Sequence, residues 1–121
     1  MGEVTIDFVA FDDERNACLM VLVEQPWSGP DEAHLRALQD RLYGCLDAAL
    51  DGQLADQFPN SRGRDLIIRI DCYDLARDRL DDFVARFSEG IAALPDYSAT
   101  ESPYVNGIRF EVKHNTLGPT T

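Results

Sequence analysis

The pattern of apolar residues predicts an α/β (α+β) domain in the order β-β-α-β-α-β, a four-stranded mixed sheet with two helices packed on one face. Three observations predict it. Two long segments repeat apolar residues every three or four positions, as helices do. The short segments around them alternate, or run apolar throughout, as strands do. Both helical segments are amphipathic rather than apolar all round, so each covers one side of a sheet. Right-handed crossovers would set both helices on the same side if the strands advance in one direction.

Val4 to Phe11 reads as the first strand, with Thr5, Asp7, Val9 and Phe11 on one face. A polar turn, Asp12 to Asn16, leads to ACLMVLVE, Ala17 to Glu24, which is apolar on both faces and belongs in the middle of a sheet. The pair makes an antiparallel hairpin. Residues 25–29 turn into a helix over Pro30 to Leu50, whose stripe is Leu35, Leu38, Leu42, Cys45, Leu46 and Ala49. Ser28 with Asp31 offers a capping box, Pro30 needs no N–H in the first turn, and Gly52 ends the helix. Residues 53–64 read as a long loop that opens with another helical turn. Leu66 to Tyr73 is the clearest strand, with Leu66, Ile68, Ile70 and Cys72 turned inward.

A second helix follows over Asp74 to Leu94, with Asp74 as its N-cap and Leu80, Phe83, Val84, Phe87, Ile91 and Leu94 on its stripe. Pro95 and Asp96 stop it. Residues 96–107 read as a polar loop, and Ile108, Phe110 and Val112 as an edge strand. Residues 1–114 thus make a single domain, and 115–121 a frayed tail.

A chain of 121 residues can bury a core without a disulfide or a metal. Cys18, Cys45 and Cys72 lie far apart on apolar stripes, the usage of buried thiols in a reducing compartment. The N-terminus lacks a charged-then-apolar signal pattern, and no run approaches a membrane span, so a cytoplasmic location is expected. The net charge is −11, with residues 1–60 carrying three arginines against twelve acids. Such a field repels nucleic acid and anionic membranes and favours basic partners.

No catalytic, cofactor or metal constellation stands out. His34 and His114 are the only histidines, neither sits in a zinc motif, and His114 falls in the final polar segment. There is no nucleophile elbow, and the acid clusters match no calcium loop. Arg62, Arg64 and Asp71 are the candidates for a small-ligand site under the 53–64 segment.

Several phrases together resemble an uncharacterised family of small bacterial proteins. They are the strand with Ile6 and Asp7; Trp27 before a helix carrying Glu32-Ala33-His34-Leu35, Leu38 and Gln39; Gly52-Gln53-Leu54; and Ile68-Arg69. The resemblance covers about the first two-thirds of the chain, and the family brings no established activity. It implies that His34, Gln39 and Gln53 have a role in ordering the long loop. Immunity proteins of secreted toxins supply an analogy of kind.

The function expected is therefore non-enzymatic protein binding, an immunity or antitoxin-like domain masking a basic toxin. Its contact residues would be Asp12, Asp13, Glu14, Asp40 and Asp47, with Trp27 as an anchor. A self-associating structural or regulatory domain is the alternative. It would pair as a homodimer through an open sheet face carrying Cys18, Met20, Leu22, Ile67, Arg69 and Tyr73, with Val9 and Phe11 of the first strand beside them. A small enzyme or ligand-binding protein comes third.

Overall fold

Two parallel crossovers, each carrying a helix, build the molecule onto one β-hairpin. The structure is a computed structural model and describes residues 8–24, 31–73, 77–94 and 104–115. The strands are β1 (Phe8–Asp12), β2 (Ala17–Glu24), β3 (Arg64–Tyr73) and β4 (Val105–Asn115). The helices are α1 (Asp31–Asp51), α2 (Gln53–Gln57) and α3 (Arg77–Ala92), and a 3-10 turn spans Pro59–Ser61. The sheet runs β1-β2-β3-β4, with β1 antiparallel to β2, and β2, β3 and β4 mutually parallel.

The hairpin closes where Asn16 takes a left-handed φ of 50°, a conformation that asparagine tolerates. Its N–H donates to Asp13 O at 3.2 Å, and its own carbonyl accepts from Asp65 N at 3.0 Å, tying the turn to β3. Beyond it β2 lies between β1 and β3, which explains a strand apolar on both faces.

One core cluster joins Cys18, Met20 and Leu22 of β2 to Leu66, Ile68, Ile70 and Cys72 of β3. The same cluster takes in Leu38, Leu42, Cys45, Leu46 and Ala49 of α1 and Leu80, Val84, Phe87 and Ile91 of α3. Both long helices therefore cover one face. Phe87 is the hinge of this packing, edge-on to Tyr43 (centroids 5.1 Å) and to Phe110 of β4 (5.6 Å). The other face carries a smaller cluster of Ala17, Leu19, Val21 and Ile67, with Ala10 against it.

This phasing corrects the sequence reading of β2. Met20 and Leu22, expected on the open face, are wholly buried beneath the helices, as is Cys18 at 1% exposure. Val9 and Phe11, also expected on the open face, pair with Met20 and Cys18 and share the helix side. Arg69 and Tyr73 do alternate with the core residues of β3 and face away from the helices.

Three further expectations change. Residues 53–64 are mostly α2 and the 3-10 turn rather than loop. Strand β4 begins at Val105, inside the expected 96–107 loop, and it takes in His114 and Asn115. The start of the first strand (4–7), the turn with Trp27, the Ser28 and Pro30 cap, the Asp74 N-cap and residues 116–121 lie outside the described residues.

Candidate functional site

Two places on this frame gather chemistry. The first lies between the helices. On α1, Gln39 and Tyr43 stand at the edge of the core stripe; on α3, Phe83, Arg86, Gly90 and Leu94 stand at the facing edge. Their separation leaves a cleft of about 440 Å³, lined also by Phe87 and Ile91. Leu94 at its end is 42% exposed. The helical repeat puts Asp40 and Asp47, three before and four after Tyr43, along the outer rim on α1, together with Arg36. On α3, Asp82 holds the lining Arg86 in an exposed ion pair at 3.1 Å. The result is an aromatic floor whose one charged lining side chain is Arg86, with acids on the adjoining helix surface.

The other expected contact acids sit in the hairpin turn, and most of them already have partners. Arg15 Nε donates to Asp12 at 2.6 Å, and its guanidinium also reaches Glu111 on β4. That hydrogen bond and charge hold the Asp12 carboxyl below its ordinary range, while the bonds to Glu111 and Asp12 hold the Arg15 guanidinium above its own. Arg64 donates to Asp13 at 2.9 Å and stacks over Phe11. Glu14 is exposed. Trp27 lies outside the described residues.

The small-ligand candidates do not converge. Arg62 lies over the Tyr104 ring, Arg64 is taken up by Asp13 and Asn60 O, and Asp71 pairs with Arg69 at 2.8 Å near the far end of β3. Gly52-Gln53-Leu54 is a joint: Gly52 turns the chain at φ 99°, Gln53 bonds back to Asp51, and Leu54 is buried. Among the described residues that the resemblance singled out, Gln39 alone lines the cleft.

The second place is the carboxyl edge of the parallel strands, where open α/β sheets commonly carry their sites. Glu24, Cys72 and His114 are register neighbours across β2, β3 and β4, and all three point to the helix side. Arg41 of α1 closes over Glu24 in a sheltered ion pair and lies 3.4 Å from Val23 O. Cys72 Sγ lies 3.2 Å from His114 Nδ1 and 3.5 Å from Lys113 O. His114 Nε2 lies 2.8 Å from Asp81 Oδ1 on α3. Sequence reasoning missed this group because it read His114 as part of a final polar segment and could not register β4 on β3.

The other thiols differ. Burial pushes Cys45 up to about 12 and Cys18 up to about 11, against the opposing pull of Arg41 and Arg64. Among the described residues no three histidines, cysteines or carboxylates are placed to hold a metal, and no helix is long and apolar enough to cross a membrane.

The architecture defines an α+β domain with its helices on one side of a mixed sheet. The chain belongs to a family of unknown function, DUF6572, whose profile matches residues 2–95. That span holds Cys72 and Asp81 and ends before β4 and His114. No curated protein and no solved structure matches the chain.

Proposed function

We propose that this chain is a non-enzymatic binding domain that receives a basic, amphipathic segment of another protein in the cleft between α1 and α3. The observation that carries the reading is the cleft itself: Tyr43, Phe83 and Leu94 line it with apolar surface, and the helical repeat of α1 sets the exposed Asp40 and Asp47 next to Tyr43, just outside the lining. A helix laid in such a groove buries its apolar side chains while its flanking lysines or arginines meet the acids. The net charge of −11 would speed the encounter. A basic toxin domain neutralised by this protein is the partner we favour, because its own charged surface would be masked at the same time. The hairpin acids support this less than Asp40 and Asp47 do, since Arg15 and Arg64 already occupy Asp12 and Asp13.

Affinity capture from the native cytoplasm, run in parallel with wild type and Phe83→Asp, tests it. We expect one basic protein in stoichiometric amount, released as salt rises and absent from the variant. Equal capture by both baits would overturn the cleft as the docking site, and a captured acidic protein would overturn the charge argument. Circular dichroism checks that the variant remains folded.

A further inference from the structure

The Cys72–His114–Asp81 group goes beyond a docking role. A carboxylate can only accept a hydrogen bond, so Asp81 fixes the imidazole with its hydrogen on Nε2. Nδ1 is then left as a bare lone pair, 3.2 Å from Cys72 Sγ. A thiol within reach of a base, itself oriented by a third group, is the arrangement that activates sulfur nucleophiles. Cys18 and Cys45 make the contrast, since burial raises both and an arginine is the only group opposing it. Three cysteines share one core, and one of them has a base.

We infer that Cys72 is a peroxide-reactive thiol, with His114 as its base and Asp81 positioning the imidazole. The class of reactant follows from the surroundings. Cys72 itself has no exposed surface, while the His114 side chain is 12% and that of Asp81 49% exposed. Approach is therefore along the seam between α3 and β4, which favours a small uncharged oxidant over a bulky acyl substrate. The thiol proton passes to His114 Nδ1, and the thiolate attacks one oxygen of hydrogen peroxide. The S–O bond forms as the O–O bond breaks, and the departing hydroxide takes the proton from His114 and leaves as water. Sulfur is oxidised to a sulfenic acid and the peroxide is reduced. The groups facing this chemistry are Glu24 across the register, Arg41 from α1, Asp81 from α3 and the backbone of Lys113.

The test treats the full chain with hydrogen peroxide, traps sulfenic acid with a dimedone reagent, and maps the label by mass spectrometry. Cys72 should label first, with Cys18 and Cys45 silent while the protein stays folded. His114→Gln should slow the labelling at least about tenfold. Asp81→Asn should slow it less, and Asp81→Glu should restore it. Should His114→Gln prove unfolded, the wild-type pH profile of iodoacetamide alkylation decides: Cys72 should gain reactivity at lower pH than the same cysteine in the urea-unfolded chain. Labelling of Cys72 no faster than of Cys18 and Cys45 would overturn the assignment. So would an unchanged rate in folded His114→Gln, or coincident pH profiles.

Discussion

The two ends of the sheet use the same kinds of residue in different surroundings. At the carboxyl end Glu24 and Arg41 lie under the helix layer, with side chains only 13% and 20% exposed. At the amino end, around the hairpin, Arg64 holds an Asp13 that is 86% exposed, and Arg109 lies 3.5 Å from Asp65 on the outer face. Charge pairs in water contribute little, because screening and side-chain entropy offset the attraction. A sheltered pair is different in kind, since losing one partner strands the other away from water. Polar groups at the carboxyl end are therefore parts of the packing, whereas those at the amino end decorate it.

The largest effect should come from breaking the sheltered pair. Arg41→Met leaves the Glu24 carboxylate beneath α1 and should cost about 2–3 kcal/mol in urea denaturation. The double variant Glu24→Leu with Arg41→Met should lose less than the sum of the two single changes, which a double-mutant cycle reads directly. Strict additivity would show that the two ends of the sheet are equally wet, and the comparison would fall.

What holds the amino end is shape. Gly52 joins α1 to α2 at φ 99°, where side chains other than glycine's are strained, and an added Cβ would come within 2.9 Å of the Tyr104 ring. That ring lies under Arg62, and Tyr104 O accepts from Gly63 N, so it has little room to withdraw. Gly52→Ala should therefore cost about 1–2 kcal/mol by the same measurement. Tyr104→Ala in that background should recover only the part due to crowding, because the backbone strain stays.

How much of this could be read from the chain differs by element, for physical reasons. The stripes of α1 and α3 and the alternation of β3 each have one apolar face, so period alone sets their orientation. β2 is buried on both faces and carries no phase, which is why Met20 and Leu22 were turned the wrong way and took Val9 and Phe11 with them. Gln39 and Tyr43 reach the cleft only through the packing of α1 against α3, which no local pattern encodes. Cys72 and His114 are 42 residues apart and meet through parallel register, a relation that a single sequence does not print.

The smallest effect is expected where the sheet looks most elaborately tied. Arg15 runs from Asp12 on β1 to Glu111 on β4, the two outer strands, crossing the helix-free face. Three strand spacings separate those carboxylates' strands, roughly 14 Å. Yet the Arg15 side chain is 39% exposed, and Asp12 and Glu111 are close to it in exposure. Arg15→Ala should leave the urea midpoint at neutral pH within experimental error. The sign of any residual difference is fixed. Asp12 is held below its ordinary value of 3.8, so its contribution is whole above that pH and is lost as pH falls through the folded-state value. Wild type and variant should therefore converge in acid and differ, if at all, near neutrality, where added salt should close the gap. A neutral-pH loss as large as that of Arg41→Met would mean that the helix-free face shelters charge as the helix layer does. The Arg15 bridge would then act as a cover for the buried cluster of Ala17, Leu19, Val21 and Ile67 on that face.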